Sequence, residues 1–283
     1  MLDIKLGDCL ELMKDIPDKS IDLILCDPPY GTTRLEWDKI IPLEPLWEQY
    51  KRIIKDNGAI LLFSAQPFTT DLINSNRKMF RYEIIWEKTM RTGFYNAKKM
   101  PLKIHENILV FYKHLPTYNP QKYQLTQEYI QKHSVPIGQK RKNSSFAITS
   151  GKFVGTVSKE AFEKYSYTDT GERYPTDVIK FSNWNGSLFG NNSKVVEHPT
   201  QKPLPLLEYL IKTYSNKGDV VLDNCMGVGT TGVACKNLSR NFIGFELRED
   251  YFEIAKDSIN KALKGEEKAP QQEDTDDRQL TFF

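Results

Sequence analysis

Asp27, Pro28, Pro29 and Tyr30 follow an apolar run, Ile21 to Cys26, that predicts a buried strand. Two consecutive prolines lack amide hydrogens and fix φ, so the strand has to stop there. An acid, two rigid rings and a phenol are left at its carboxyl end, where open α/β sheets bind ligands. Asp27 can accept from an amino group, the proline pair directs backbone carbonyls, and Tyr30 offers a flat face to a planar ring. An exocyclic amino group on a nucleobase suits all three. Hydrogen bonds to Asp27 and the Pro28 carbonyl would turn its lone pair outward towards an electrophile. The plainer reading is a Pro-Pro turn with an Asp cap.

A second constellation lies about 200 residues on. Val220-Val221-Leu222 predicts a buried strand ending at Asp223. Asn224-Cys225-Met226-Gly227-Val228-Gly229-Thr230-Thr231-Gly232 is a Gly-rich turn before a helix from Val233, and Phe242 to Phe245 is a strand ending at Glu246. Gly227 and Gly229 let a ligand approach the backbone. The helix start favours an anionic group, and Glu246 is placed for ribose hydroxyls. The glycine spacing also fits a nicotinamide dinucleotide. Asp27 to Tyr30, with His198-Pro199-Thr200-Gln201-Lys202-Pro203 as lead-in, decides against that.

Together these motifs resemble the β-type amino DNA methyltransferases, in which the catalytic motif precedes the recognition region and the cofactor motif. The resemblance covers roughly residues 2–113 and 198–260. It implies an S-adenosylmethionine-dependent enzyme that flips a base out of double-stranded DNA and methylates its amino group, with Asp27, Pro28, Pro29 and Tyr30 catalytic. Asp27 in first place resembles the adenine-N6 enzymes more than the cytosine-N4 enzymes, which usually carry Ser. By the same resemblance Asp223, Gly227, Gly229, Thr230 and Thr231 line the methionine part of the cofactor, with Cys9, Asp27 and Cys225 beside them. Lys202 meets its carboxylate, Glu246 its ribose and Asp8 its adenosine end; Asp8 also suits a plain helix N-cap. The family often has Asp-Pro-Phe where this chain has Asp223-Asn224-Cys225. Rival readings are a cytosine-N4 enzyme, a methyltransferase of RNA or protein amides, and an idle DNA-binding subunit of a restriction system.

The elements that must position these residues read as βαβ units, hence a doubly wound, mostly parallel α/β sheet. Leu2 to Leu6, Ala59 to Phe63, Arg81 to Glu87 and Ile108 to Tyr112 are further strands. Leu10 to Ile16, Pro42 to Ile54 and a segment through Asn76 are helices, with Asn57-Gly58 ending the second. His105 reads as structural within core sheet. Residues 1–113 form the catalytic half, 114–196 a polar target-recognition insertion, 197–263 the cofactor half and 264–283 a disordered acidic tail.

Of 283 residues, 39 are Lys or Arg and 37 Asp or Glu, which hides an asymmetry. From Arg77 to Lys142 the net charge is +10, and from Gly265 to Phe283 it is −4. Lys88, Arg91, Lys98 and Lys99, with Gly and aromatics between them, predict a loop on a phosphate backbone; Lys140, Arg141 and Lys142 extend the basic region. Four scattered cysteines predict neither a zinc site nor disulfides and suit a reducing cytosol. No apolar run approaches a membrane span, and the N-terminus is no signal peptide. The resemblance implies a cytoplasmic protein, bacterial or phage-encoded, and allows a homodimer. Gln279, Leu280, Phe282 and Phe283 resemble the peptide by which replication and repair proteins dock on the DNA sliding clamp.

Overall fold

The computed structural model describes residues 2–32, 38–141, 148–149, 152–153, 167–183 and 201–264. Lys142, His198, Pro199, Thr200 and the tail with its clamp-like peptide lie outside these residues. So do the side chains of Lys140 and Arg141. The described residues fall into two units. One comprises 2–119 and 176–264, and the other lies within 120–175.

The first unit is built on an eight-stranded sheet. Its strands are β1 (Leu2–Leu6), β2 (Ile21–Cys26), β3 (Ile54–Ser64), β4 (Phe80–Thr92), β5 (Lys103–Phe111), β12 (Val178–Phe181), β13 (Val220–Asp223) and β14 (Asn241–Glu246). The spatial order is β1-β14-β13-β2-β3-β5-β4-β12. All neighbours are parallel except β5, which runs antiparallel to β3 and β4. The chain therefore steps from β2 to β3 in one direction and from β13 to β14 in the other. The carboxyl ends of β2 and β13 meet at that reversal, where an open sheet leaves a crevice.

Central strands carry apolar side chains on both faces, as a sheet covered twice requires. Leu23, Leu25, Leu61 and Phe63 face helices α5 (Leu204–Tyr214), α6 (Thr230–Asn237) and α7 (Glu249–Lys264). Ile24, Cys26, Ile60 and Leu62 face α1 (Cys9–Leu12), α2 (Leu43–Ile53) and α3 (Phe68–Ser75). Leu46, Trp47, Tyr50 and Ile53 of α2 are buried at helical spacing.

The second unit holds α4 (Gln127–Lys132) and short pairs: β6 (Tyr123–Gln124) with β11 (Glu172–Arg173), β7 (Lys140–Arg141) with β10 (Tyr167–Thr168), and β8 (Ile148–Thr149) with β9 (Lys152–Phe153). Asp169, 1% exposed, is held by the Arg173 guanidinium at 2.9 Å and by Gly171 N–H at 2.9 Å.

Two sequence expectations are corrected. Asn57-Gly58 does not end a helix. Helix α2 stops at Ile53, and these residues form a bulge in β3, where the pairing shifts from Ile21–Ile54 to Leu23–Ala59. A Cβ at Gly58 would stand 2.9 Å from the Asp22 carbonyl oxygen, so the close approach of strands requires glycine. Residues 88–99 are not one irregular loop, because β4 runs to Thr92 and pairs with Lys103 of β5. A cross-strand ladder extends the strands beyond what local periodicity shows.

The buried Tyr50 hydroxyl donates to Asn224 Oδ1 at 2.6 Å, joining α2 to the turn after β13. Tyr50→Phe strands that acceptor, so urea unfolding should show a loss of about 1–3 kcal/mol with unchanged slope. A loss below about 0.5 kcal/mol would show that the bond does not hold the turn.

Candidate active site at the carboxyl ends of β2 and β13

A cavity of about 530 Å³ opens at the reversal, lined by residues that follow β1, β2, β13 and β14. That lies within the ~300–1,000 Å³ typical of small-molecule sites. Asp8, Cys9, Asp27, Pro28, Pro29, Tyr30, Lys202, Asp223, Cys225, Gly227, Thr230, Thr231 and Glu246 all border it. Sequence positions up to 238 apart thus converge because parallel strands end together.

Asp27 is fixed at both oxygens. The Tyr30 hydroxyl donates to Oδ1 at 2.6 Å, and the Lys202 ammonium donates to Oδ2 at 2.5 Å. The Tyr30 ring stacks on Phe68 with centroids 5.5 Å apart and 22° between planes. Tyr30 is therefore both an aromatic wall and a clamp on Asp27, and the second role was not visible in the motif. Burial and the adjacent Asp27 charge push its phenol pKa well up, so it stays a donor.

Lys202 is only 10% exposed, over the Phe63 ring at 5.0 Å. Its Nζ also lies 3.3 Å from Glu106 Oε2, a Coulombic contact outside hydrogen-bond geometry. Burial alone would lower the Lys202 pKa, but Asp27 and Glu106 outweigh it and hold the ammonium charged. Glu106 is the residue that sequence reasoning missed. It sits in β5, also pairs with the Lys88 ammonium and borders the cavity. Its signal was a charge in the strand segment that leads into the apolar run Ile108 to Phe111. Burial raises its carboxyl, and the two lysines more than reverse that. Lys88, 13% exposed, is consequently turned inward, unlike the other basic residues of its segment. A phosphate contact expected of Lys88 is thereby corrected, since its charge is already neutralised inside the protein.

The second half of the cavity is the Gly-rich turn. Gly227 adopts φ +53°, and a Cβ there would meet nothing within 4 Å, so the backbone lies open to the cavity. Gly229 adopts φ +83°, and its Cβ would stand 3.0 Å from Ala255 Cα, so packing against α7 demands glycine. Glu246 Oε2 accepts from Gly227 N–H and Oε1 from Arg248 N–H, both at 2.9 Å. This leaves lone pairs directed by the backbone rather than by a mobile side chain. Asp223 accepts from the Thr231 hydroxyl at 2.6 Å and from Cys225 N–H at 3.1 Å. Gln201 donates to Thr230 Oγ1 at 2.9 Å, tying the Lys202 lead-in to the same turn. Asp8 caps α1 through Leu10 N–H at 2.8 Å while also lining the cavity, so its two sequence readings coexist. Cys9, Cys26 and Cys225, scattered in sequence, gather here. The Cys225 contact lowers the Cys9 thiol pKa, and burial pushes Cys26 up to about 11.

Acceptors for hydroxyls, carboxylates around a buried ammonium, and a backbone left open at glycine suit a nucleoside carrying a charged amino-acid tail. The DNA methylase family profile (N6_N4_Mtase) matches residues 21–257. The chain belongs to the N6/N4 DNA methylase family. Among curated relatives it is 27% identical to Type II methyltransferase M.HpaI of Haemophilus parainfluenzae, covering 92% of this chain and 74% of that one. It is 28% identical to M1.MboII of Moraxella bovis, covering 90% and 95%. Among solved structures, the M1.HpyAVI–SAM complex aligns with TM-score 0.56 and 26% identity over 92% of this chain and all of that one. PvuII DNA methyltransferase, a cytosine-N4-specific enzyme, shares the fold with TM-score 0.59 at 16% identity over 93% of both chains.

Burial pushes the Asp223 carboxyl up to about 7, against the Thr231 and Cys225 hydrogen bonds and with Asp27 and Glu246 adding to it. The folded pKa therefore lies above the unfolded value of about 4. Its contribution to stability is fully present below pH ~4 and lost as pH rises through about 7. Relative to Asp223→Asn, the wild type should lose stability between those values in urea titrations. A pH-independent difference would contradict the assignment.

Proposed function

We propose that this chain transfers the methyl group of S-adenosylmethionine to N6 of adenine in double-stranded DNA. The observation that carries the reading is an Asp27 carboxylate clamped at both oxygens beside a glycine-opened nucleoside cradle. The cofactor supplies an electrophilic methyl on a sulfonium. Asp223, Gly227, Thr230, Thr231 and Glu246, with Asp8, Cys9 and Cys225, would hold it. Lys202, which has three N–H donors and two carboxylate neighbours, keeps one donor for the cofactor's carboxylate.

The target base leaves the stack, because its amino group is paired inside the duplex. Asp27 and the Pro28 carbonyl accept its two N–H groups, and Tyr30 supplies a stacking face. With both hydrogens engaged, the nitrogen lone pair would face the sulfonium methyl; as the N–C bond formed, the S–C bond would break to release the thioether, and one of the two amino protons would leave by way of the acceptor it already bonds. Tyr30 and Lys202 prevent Asp27 from rotating, so the rate comes mainly from alignment. Arg91, Lys98 and Lys99, exposed on one segment, support the duplex, and residues 114–196 read its sequence. An acid at position 27 supports adenine over cytosine by the resemblance drawn above.

The test uses purified protein, labelled cofactor and DNA. N6-methyladenine is the expected product by nucleoside mass spectrometry, and Asp27→Ala should cut the rate at least ~100-fold while cofactor binding persists. N4-methylcytosine alone would overturn the base preference. No transfer to DNA would overturn the reading.

A further inference from the structure

Beyond the ladder pair Thr92–Lys103, strands β4 and β5 are joined by a ten-residue tip that the methyl-transfer chemistry leaves unused. The tip is ordered by its own hydrogen bonds. Gly93 takes φ +89°, and a 3₁₀ turn follows at Phe94–Asn96. Asn96 N–H donates to the Gly93 carbonyl at 2.9 Å, and Lys99 N–H to the Asn96 carbonyl at 2.8 Å. This built turn presents apolar side chains to water. Tyr95 is 97% exposed and Phe94 68%. Exposed aromatics grouped on a fixed turn mark a contact surface.

The charge around them says what the surface contacts. Arg91, Lys98, Lys99 and Lys103 are exposed, and residues 88–103 contain no acid. A second copy of this tip would meet like charge, whereas a polyanion would not. Aromatic rings flanked by cations suit stacked bases and their phosphates.

Position then specifies the site on the nucleic acid. The root of the hairpin is Lys88, paired with Glu106, which borders the cavity together with Asp27. From Lys88 to Thr92 an extended strand rises about 13 Å, on the order of one groove width of ~12 Å. The tip thus begins about one groove width along the strand from the ion pair that borders the cavity.

Resting on the function proposed above, we propose that the Phe94–Tyr95 tip enters the duplex beside the target base and stacks in the gap left by its extrusion. Arg91, Lys98, Lys99 and Lys103 hold the flanking phosphates. The rings replace the lost stacking and so favour the extruded state.

The experiment places 2-aminopurine at the target of a duplex whose methylated site has been mapped by sequencing DNA from expressing cells. Wild type is compared with Phe94→Ala/Tyr95→Ala. The double variant should keep cofactor affinity within about twofold and lose most of the fluorescence rise. Its single-turnover rate on adenine should fall by about 10- to 100-fold, the range of one to two stacking contacts. A mismatch opposite the target lowers the unstacking cost and should restore the variant to within a few-fold of wild type. Normal flipping by the variant, or a loss that the mismatch does not rescue, overturns the proposal while leaving the methylation reading intact. A change in oligomeric mass by light scattering, with flipping unaffected, assigns the tip to self-association instead. Absence of methylated DNA from wild type overturns both.

Discussion

A buried ammonium organises the site. Lys202 is largely buried, so its charge depends on neighbouring carboxylates. Asp27 and Glu106 provide them, and Lys88 balances the second carboxylate from the other side. Four charges on four chain segments thus neutralise one another in a chain, Lys88–Glu106–Lys202–Asp27, and removing any one unbalances its neighbours. The consequence for geometry is directional. The Asp27 carboxylate is held against rotation, because one oxygen accepts from Lys202 and the other from Tyr30.

The sheet makes this network possible. Parallel strands end on one side, and the reversal between β2 and β13 leaves their ends uncovered by crossover helices. Asp27 and Asp223 stand at the ends of adjacent strands, so the clamped acid and the glycine-rich turn are neighbours by construction. The antiparallel β5 then adds Glu106, and its hairpin with β4 carries the outward-facing tip. The cavity-lining Glu106 and the exposed Phe94–Tyr95 tip therefore belong to one β4–β5 hairpin.

Much of this was legible in the chain because it rests on local signals. Two prolines after an apolar run stop a strand, and glycines before a helix open a turn. The ends of β2 and β13 followed from those, whereas Gly229, expected to line the cofactor, packs on Ala255 of α7 instead. What was not legible required partners far away in sequence. Glu106 looks like a charge in a core strand until Lys88 and Lys202 stand beside it. Lys88 looks like a surface cation until Glu106 withdraws it. The Tyr30–Asp27 bond depends on a turn geometry that composition does not encode. The bulge at Asn57-Gly58 and the extended hairpin arise from interstrand pairing, which overrides turn and loop propensity.

The central claim is that Lys202 acts through Asp27. A double-mutant cycle of Asp27→Asn and Lys202→Met, read as single-turnover methyl transfer at saturating cofactor, tests it most directly. Strong coupling is predicted, with the second substitution costing at least about 1 kcal/mol less once the first is present. Additive losses, within ~0.5 kcal/mol, would show that the two residues serve the reaction independently and would contradict the account.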